Sequence, residues 1–178
     1  MKTINRNTKN RIMYTKNNLF EAIDYIVSNN SSYTIVVPHV CNNINTFGSG
    51  FTYHIQKHYP IVKENFHLLG KKSALGYTQF VEVRHNKKIN SKIIFANMIA
   101  QNGTISKSNN RPLNYAALVR CMLDIKRFID ISKSDNDSNV EIHAPKFGSG
   151  LAGGNWNFIE NLIEDIWSDT NVFIYTLK

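Results

Sequence analysis

Two short glycine-rich stretches contain the residue types best suited to chemistry in this sequence. Residues 47–50 read Phe-Gly-Ser-Gly, the same four residues recur at 147–150, and four glycines fall within Gly148–Gly154. Glycine lets the backbone approach a ligand closely and adopt positive φ, so successive N–H groups can point into one concavity. Where such a loop leads into a helix, the unpaired N–H groups of the first helical turn favour a phosphate. The alternative for either loop alone is a tight turn without a ligand.

Each glycine loop follows an apolar run that predicts a buried strand. The run 33–40 precedes the first loop, and the run 140–144 precedes the second. Strands alternate with helix-periodic segments along the chain, which predicts an α/β fold with a mostly parallel sheet covered on both faces. Ligands bind such sheets beyond the carboxyl ends of the strands, so we expect both loops at one edge. Neither loop has the P-loop or the dinucleotide-binding glycine pattern.

Two further segments complete the predicted order of elements. Residues 77–100 are predicted to form two strands joined by a polar turn near residues 86–90. A long helix is predicted from about Pro112 to Ile131, with the proline in its first turn. Residues 132–139 are then predicted to form a solvated loop.

Length and composition predict one globular domain. The chain has 178 residues, of which 42% are hydrophobic and 19% charged, so it can bury a core without disulfide bonds or metal ions to stabilise it. Its polar, basic start leads into no apolar stretch, so we expect no signal peptide, no membrane partner and a cytoplasmic location. Residues 1–10 are expected to form a flexible or peripheral segment.

Charge indicates the class of ligand, cysteine spacing predicts no metal site, and no cofactor is expected. The formal net charge of +8 is spread along the chain, so it favours anionic ligands in general, and nucleic acid is not the expected partner. Cys41 and Cys121 are isolated, without metal-ligand spacing. We expect both to be buried thiols in a reducing compartment.

Several stretches together resemble macrodomains, a family that binds ADP-ribose. They match its first ligand loop, its central strand and following helix, its second phosphate loop, and its last helix and strand. The stretches are residues 38–60, 95–103, 112–125, 144–167 and 172–177. The resemblance runs from about Arg11 to Leu177 and is strongest to small bacterial and phage members near the branch of ADP-ribose-1''-phosphate phosphatases and terminal ADP-ribose glycohydrolases. It implies a three-layer α/β/α fold with a mixed, mostly parallel sheet, and a single macrodomain over residues 1–178.

The resemblance also implies which residues bind ADP-ribose. The second loop would wrap the diphosphate and the distal ribose while the first loop closes from the other side. Asn43 or Asn45 would bind a ribose hydroxyl, with Asn42 replacing Asn43 if the register slips by one. Asn18 stands where many members have an Asp that binds adenine. The expected ligand-binding residues are Asn18, Asn43, Asn45, Gly48, Ser49, Gly50, Phe147, Gly148, Ser149, Gly150, Leu151, Ala152 and Gly153.

Two functions follow from this resemblance. In the first, the protein is an enzyme that removes a 1''-linked group, such as the phosphate of ADP-ribose-1''-phosphate, with His39 as its catalytic acid or base. In the second, it reads or sequesters ADP-ribose or a related signalling nucleotide without turnover. The glycohydrolase route is not expected, because the family's Lys and Asp are replaced by Gln101 and Ala152. A scarcity of strong acids and bases in the expected site favours the second function, whereas His39 favours the enzyme.

Overall fold

Strands and helices alternate along the residues that the computed structural model describes, which are 12–70, 73–136 and 139–176. The segment 1–10, expected to be flexible or peripheral, lies outside them. In chain order the elements are β1 (Ile12–Thr15), α1 (Leu19–Asn29), β2 (Tyr33–Asn42), α2 (Phe51–His58), α3 (Pro60–Leu68), β3 (Thr78–Asn86), β4 (Ser91–Gln101), α4 (Tyr115–Asn136), β5 (Asn139–Pro145), α5 (Trp156–Ile166) and β6 (Asn171–Tyr175).

The strands form one mixed sheet with the order β1-β6-β5-β2-β4-β3. All neighbouring pairs are parallel except β3 and β4, which form an antiparallel hairpin. β2 lies inside the sheet, and its residues Ile35, Val36 and Val37 are fully buried. A continuous apolar run is what a strand covered on both faces requires, so this part of the prediction is confirmed.

Helices cover both faces of the sheet, which confirms the three-layer α/β/α architecture. Val36 points into the core cluster that contains Leu118 of α4 and Ile159 of α5. Its neighbour Ile35 points to the opposite face, into the cluster that contains Ile23 of α1. Among the described helices, none combines the length and hydrophobicity that a membrane-spanning segment requires.

The start of α4 differs from the prediction, because the chain pairs with its neighbours before it turns into a helix. The helix begins at Tyr115 and not at Pro112. Leu113 forms an isolated antiparallel bridge with Gln101, and its N–H donates to the carbonyl of Ala152 at 3.0 Å. This bridge ties the end of β4 to the second glycine loop, so Pro112 lies in an extended connection.

Asn114 is the N-cap of α4, so Pro112 lies before the helix and not in its first turn. Its Oδ1 accepts a hydrogen bond from the N–H of Ala117 at 2.9 Å, as N-cap asparagines do. At the other end, α4 continues to Asn136 and not to Ile131. Lys133 donates to the Thr170 hydroxyl at 3.2 Å, and this contact anchors the last turns of the helix. The first part of the segment 132–139, which was predicted to be a loop, is therefore helical.

Candidate functional site

A cleft of about 440 Å³ lies beyond the carboxyl ends of β2, β4 and β5, between the two glycine loops. Its lining residues come from the ends of β2, β4 and β5 and from the connections that follow these strands. They are His39, Val40, Cys41, Asn42, Thr46, Ser49, Gly50, Phe51, Thr52, Gln101, Thr104, Ile105, Pro145, Lys146, Phe147, Gly148, Gly150, Leu151 and Ala152. The two loops therefore face each other across one concave site.

The first glycine loop presents the start of α2 to the cleft. Gly50 caps the helix with φ +58° and ψ −132°, a conformation that favours glycine. The Thr52 hydroxyl oxygen accepts from the N–H groups of Gly48 at 3.0 Å and Ser49 at 3.1 Å, which fixes the loop. The N–H groups of Gly50 and Phe51 have no acceptor within the described chain, as expected for a helix start, and both residues line the cleft.

The second glycine loop adds a row of N–H donors from the other side. A turn is closed by the hydrogen bond from the Gly153 N–H to the Gly150 carbonyl at 2.9 Å. In the described part of the chain, the N–H groups of Gly150, Leu151 and Ala152 have no acceptor, and these residues line the cleft. Donors from both loops thus border the same space, an arrangement suited to an anion.

The clustered glycines of the second loop serve two different needs. A Cβ on Gly153 would lie 2.6 Å from the Asn110 carbonyl oxygen, and one on Gly154 would lie 2.5 Å from the carbonyl oxygen of Gly148. Gly148 and Gly153 also have positive φ. Gly150 does not, and a Cβ there would meet no atom within 4 Å. Packing therefore requires most of the cluster, whereas Gly150 keeps the cleft open.

Among the neighbouring asparagines, Asn42 is the one that lines the cleft. Its Nδ2 donates to the Thr46 carbonyl at 2.7 Å, and its Oδ1 accepts from the N–H groups of Ile44 and Thr46. The side chain therefore shapes the first loop from within.

Asn43 and Asn45 point to other parts of the structure and are not among the lining residues. Asn43 Oδ1 accepts from the Gly103 N–H at 2.8 Å and so braces the loop after β4. Asn45 has φ +61°, and its Oδ1 lies 2.8 Å from His67 Nδ1 on α3. A ribose contact by either asparagine stays a prediction. Asn42 is better placed than Asn43 or Asn45 for such a contact, because it lines the cleft.

Asn18 caps the helix α1. Its Oδ1 accepts from the N–H groups of Phe20 at 2.9 Å and Glu21 at 3.3 Å. It lies outside the residues that line the cleft, and the adenine contact stays a prediction. The remaining expected residues outside the lining are Gly48, Ser149 and Gly153.

His39 belongs to a directed chain of hydrogen bonds beneath the cleft. Its Nε2 lies 2.5 Å from Asn97 Oδ1, and its Nδ1 lies 3.6 Å from Cys41 Sγ. Asn97 donates its own Nδ2 to Gln79 Oε1 at 2.9 Å, which turns Oδ1 towards the imidazole. His39 therefore donates from Nε2 to Asn97, and in the neutral form of the ring Nδ1 can accept from the Cys41 thiol.

Burial keeps both His39 and Cys41 uncharged. Burial lowers the pKa of His39 to about 4, against the smaller opposing effect of the Asn97 hydrogen bond. Burial likewise raises the pKa of the Cys41 thiol, and the nearby Cys121 raises it further. A thiolate–imidazolium pair is therefore disfavoured at neutral pH. A catalytic role for His39 stays a prediction, and its contacts favour a structural one.

Several lining residues are absent from the sequence-based set. Lys146 directly follows the strand end at Pro145 and is the lysine among the described residues that line the cleft. Thr104 and Ile105 come from the connection after β4, which the sequence shows only as a polar loop. The sequence signal that could have identified these residues is their position, because each of them follows the carboxyl end of an inner strand.

A phage protein is similar to this chain in sequence. No family model matches the sequence. Over 141 residues the chain is 26% identical to a phage T4 protein described as an uncharacterized 17.5 kDa protein in the tk-vs intergenic region, with 78% of this chain and 83% of the T4 protein covered.

Solved structures extend the comparison to nearly the whole chain. A protein of unknown function from Bacteroides thetaiotaomicron has a TM-score of 0.73 at 27% identity, covering 93% of this chain and 98% of the other. A macrodomain protein from Streptomyces coelicolor has a TM-score of 0.65 at 23% identity, covering 94% and 99%. Thermosipho africanus DarTG, solved in complex with ADP-ribose, has a TM-score of 0.67 at 15% identity, covering 94% of this chain and 42% of that one.

The fold and the cleft define a three-layer α/β/α domain with a cleft between two glycine loops. The structural matches give that class its name. The chain has the macrodomain fold.

Proposed function

We propose that this protein binds ADP-ribose in the cleft between its glycine loops. The observation that carries the proposal is the set of unpaired N–H groups at Gly50, Phe51, Gly150, Leu151 and Ala152, which border one cleft from two sides. A diphosphate offers acceptor oxygens to both rows of donors at once, and N–H groups at a helix start favour negative charge. The fold shared with a protein solved in complex with ADP-ribose supports this ligand.

Binding without turnover is the function that the geometry favours. No acidic side chain is among the described residues that line the cleft. The nitrogens of the His39 imidazole are engaged by Asn97 and Cys41, and its pKa of about 4 makes it a weak base at neutral pH. The backbone donors are suited to holding a phosphate-rich ligand, which is what a reader or a sequestering protein requires.

ADP-ribose should bind with 1:1 stoichiometry, and AMP should bind at least about tenfold more weakly. AMP lacks the second phosphate and the distal ribose, so it cannot engage both loops together. Isothermal titration calorimetry with the two ligands gives the stoichiometry and both dissociation constants. Equal affinity for AMP and ADP-ribose would contradict the assignment of the loops to the diphosphate.

Hydrolysis of a 1''-linked group is the second candidate function, because His39 lies in the lining of the cleft. If His39 acts as the acid or base, His39→Gln should lower phosphate release from ADP-ribose-1''-phosphate by roughly 100-fold and leave ADP-ribose affinity nearly unchanged. Glutamine can still donate to Asn97, so the fold is retained. Phosphate release at saturation, with calorimetry on both proteins, measures this. If the wild-type protein binds ADP-ribose tightly but releases no phosphate from ADP-ribose-1''-phosphate, the hydrolase function is ruled out.

A further inference from the structure

Lys146 is a basic residue at the edge of the cleft. It follows Pro145 at the end of β5 and precedes the second glycine loop, and it lines the cleft. Its Nζ lies 5.6 Å from the centroid of the Tyr14 ring and 5.7 Å from that of the Trp156 ring. Both distances are within the range of cation–π attraction, so the aromatic rings hold the ammonium group in place.

The two aromatic rings are themselves fixed. The indole N–H of Trp156 donates to the Tyr14 hydroxyl oxygen at 2.8 Å, and the Tyr14 hydroxyl donates to Glu160 of α5. The ion pairs within the described residues do not include Lys146, although Glu160 belongs to the same cluster. The rings therefore lie beside this ammonium group, which forms no ion pair with a carboxylate of the described residues.

Lys146 lies in the same loop as N–H donors that favour an anion. The unpaired N–H groups of Gly150, Leu151 and Ala152 follow within the same loop and border the same cleft. An ammonium group adds a charge-assisted hydrogen bond to such a site, and this bond is stronger than one between neutral groups. Holding the side chain in place beforehand also reduces the entropy lost on binding.

We propose that Lys146 is a ligand-binding residue whose ammonium group contacts a phosphate oxygen of the nucleotide diphosphate in the cleft, with Trp156 as its positioning residue. This rests on the proposed function, because it takes the cleft as the nucleotide site. The inference adds a charged contact to the backbone donors and explains why an exposed lysine is held by two aromatic rings at this edge.

The test is calorimetry with ADP-ribose on matched lysine variants. Lys146→Met should weaken binding about tenfold, the usual scale for one charge-assisted contact. Lys146→Arg should retain most of the affinity, because it keeps both the charge and the aromatic contact. The control is Lys57→Met. Lys57 also lies over a tyrosine ring, 4.3 Å from the centroid of Tyr53, but is not among the residues lining the cleft.

Two further readouts separate a phosphate contact from a purely structural role. Raising the salt concentration should weaken wild-type binding more than Lys146→Met binding, since the variant has lost the charge that salt screens. Trp156→Leu should weaken binding, while the double variant should bind no more weakly than Lys146→Met alone. Additive losses would overturn the positioning role of Trp156.

The outcomes distinguish this inference from the function beneath it. Wild-type affinity in Lys146→Met, with ADP-ribose binding intact, would overturn the inference and leave the proposed function standing. A loss of equal size in Lys57→Met would show a general effect of surface charge and would also overturn it. If the wild-type protein does not bind ADP-ribose, the proposed function itself fails.

Discussion

Gly150→Val should abolish measurable ADP-ribose binding, with a loss of at least about 100-fold in affinity, and should leave the protein folded. Gly150 lines the cleft, its φ is not positive, and an added Cβ meets no atom within 4 Å. The valine methyl groups would therefore occupy open space at the site and cover the N–H groups of Gly150 and Leu151. Calorimetry measures the affinity, and the thermal unfolding midpoint checks the fold.

The glycines around Gly150 provide matched controls. Gly150→Ala adds only one methyl group and should give an intermediate loss of affinity. Gly153→Ala should act in the opposite way and lower the unfolding midpoint, because its Cβ would lie 2.6 Å from the Asn110 carbonyl oxygen and its φ is +72°. A Gly150→Val protein that binds ADP-ribose as the wild type does would show that the second loop is only a turn.

Acidification should destabilise the protein through His39. In the unfolded chain its pKa is near 6.5, whereas burial lowers the folded-state pKa to about 4. The unfolded state therefore takes up the proton first as the pH falls. The stabilisation is fully present above about pH 6.5 and is lost progressively down to about pH 4, by roughly 3 kcal/mol of unfolding free energy. Urea unfolding at a series of pH values measures this loss.

His39→Gln isolates this effect from the carboxylates that titrate over the same pH range. The glutamine amide can donate to Asn97 but does not take up a proton between pH 6.5 and 4. The unfolding free energy of the variant should therefore fall less steeply with acidification than that of the wild type. The control is His54→Gln at an exposed position on α2, which should retain the wild-type dependence. Parallel curves for wild type and His39→Gln would show that His39 is not buried in its neutral form.

The sequence predicts the order of the elements because each element has its own local signal. The apolar run 33–40 indicates a strand covered on both faces, and β2 spans Tyr33–Asn42. The start of α4 has two competing local signals, because Pro112 and Asn114 can each begin a helix. Pro112 fits the first turn of a helix locally, but the pairing of Leu113 with Gln101 displaces the start to Tyr115. That pairing depends on contacts between distant parts of the chain.

The same limit applies within the site. The sequence predicts that the glycine loops meet at one edge of the sheet, because each loop directly follows an apolar run that indicates a buried strand. The pairing of β2 with β4 has a register shift between Cys41 and Asn42, and this shift determines which asparagine faces the cleft. No local sequence pattern predicts the shift. The role of Lys146 was also hidden, because Tyr14 and Trp156 come together around it only in the folded chain.

The position of β6 has a consequence for how the chain folds during synthesis. β6 is the last described strand, yet it lies between β1 and β5, and β1 pairs only with β6 among the described strands. Ile12 at the start of β1 is the register partner of Val172, so this contact spans nearly the whole sequence. Until β6 has left the ribosome, β5 remains an open edge and β1 has no strand beside it. Completion of the sheet is therefore a late step that depends on a long-range contact.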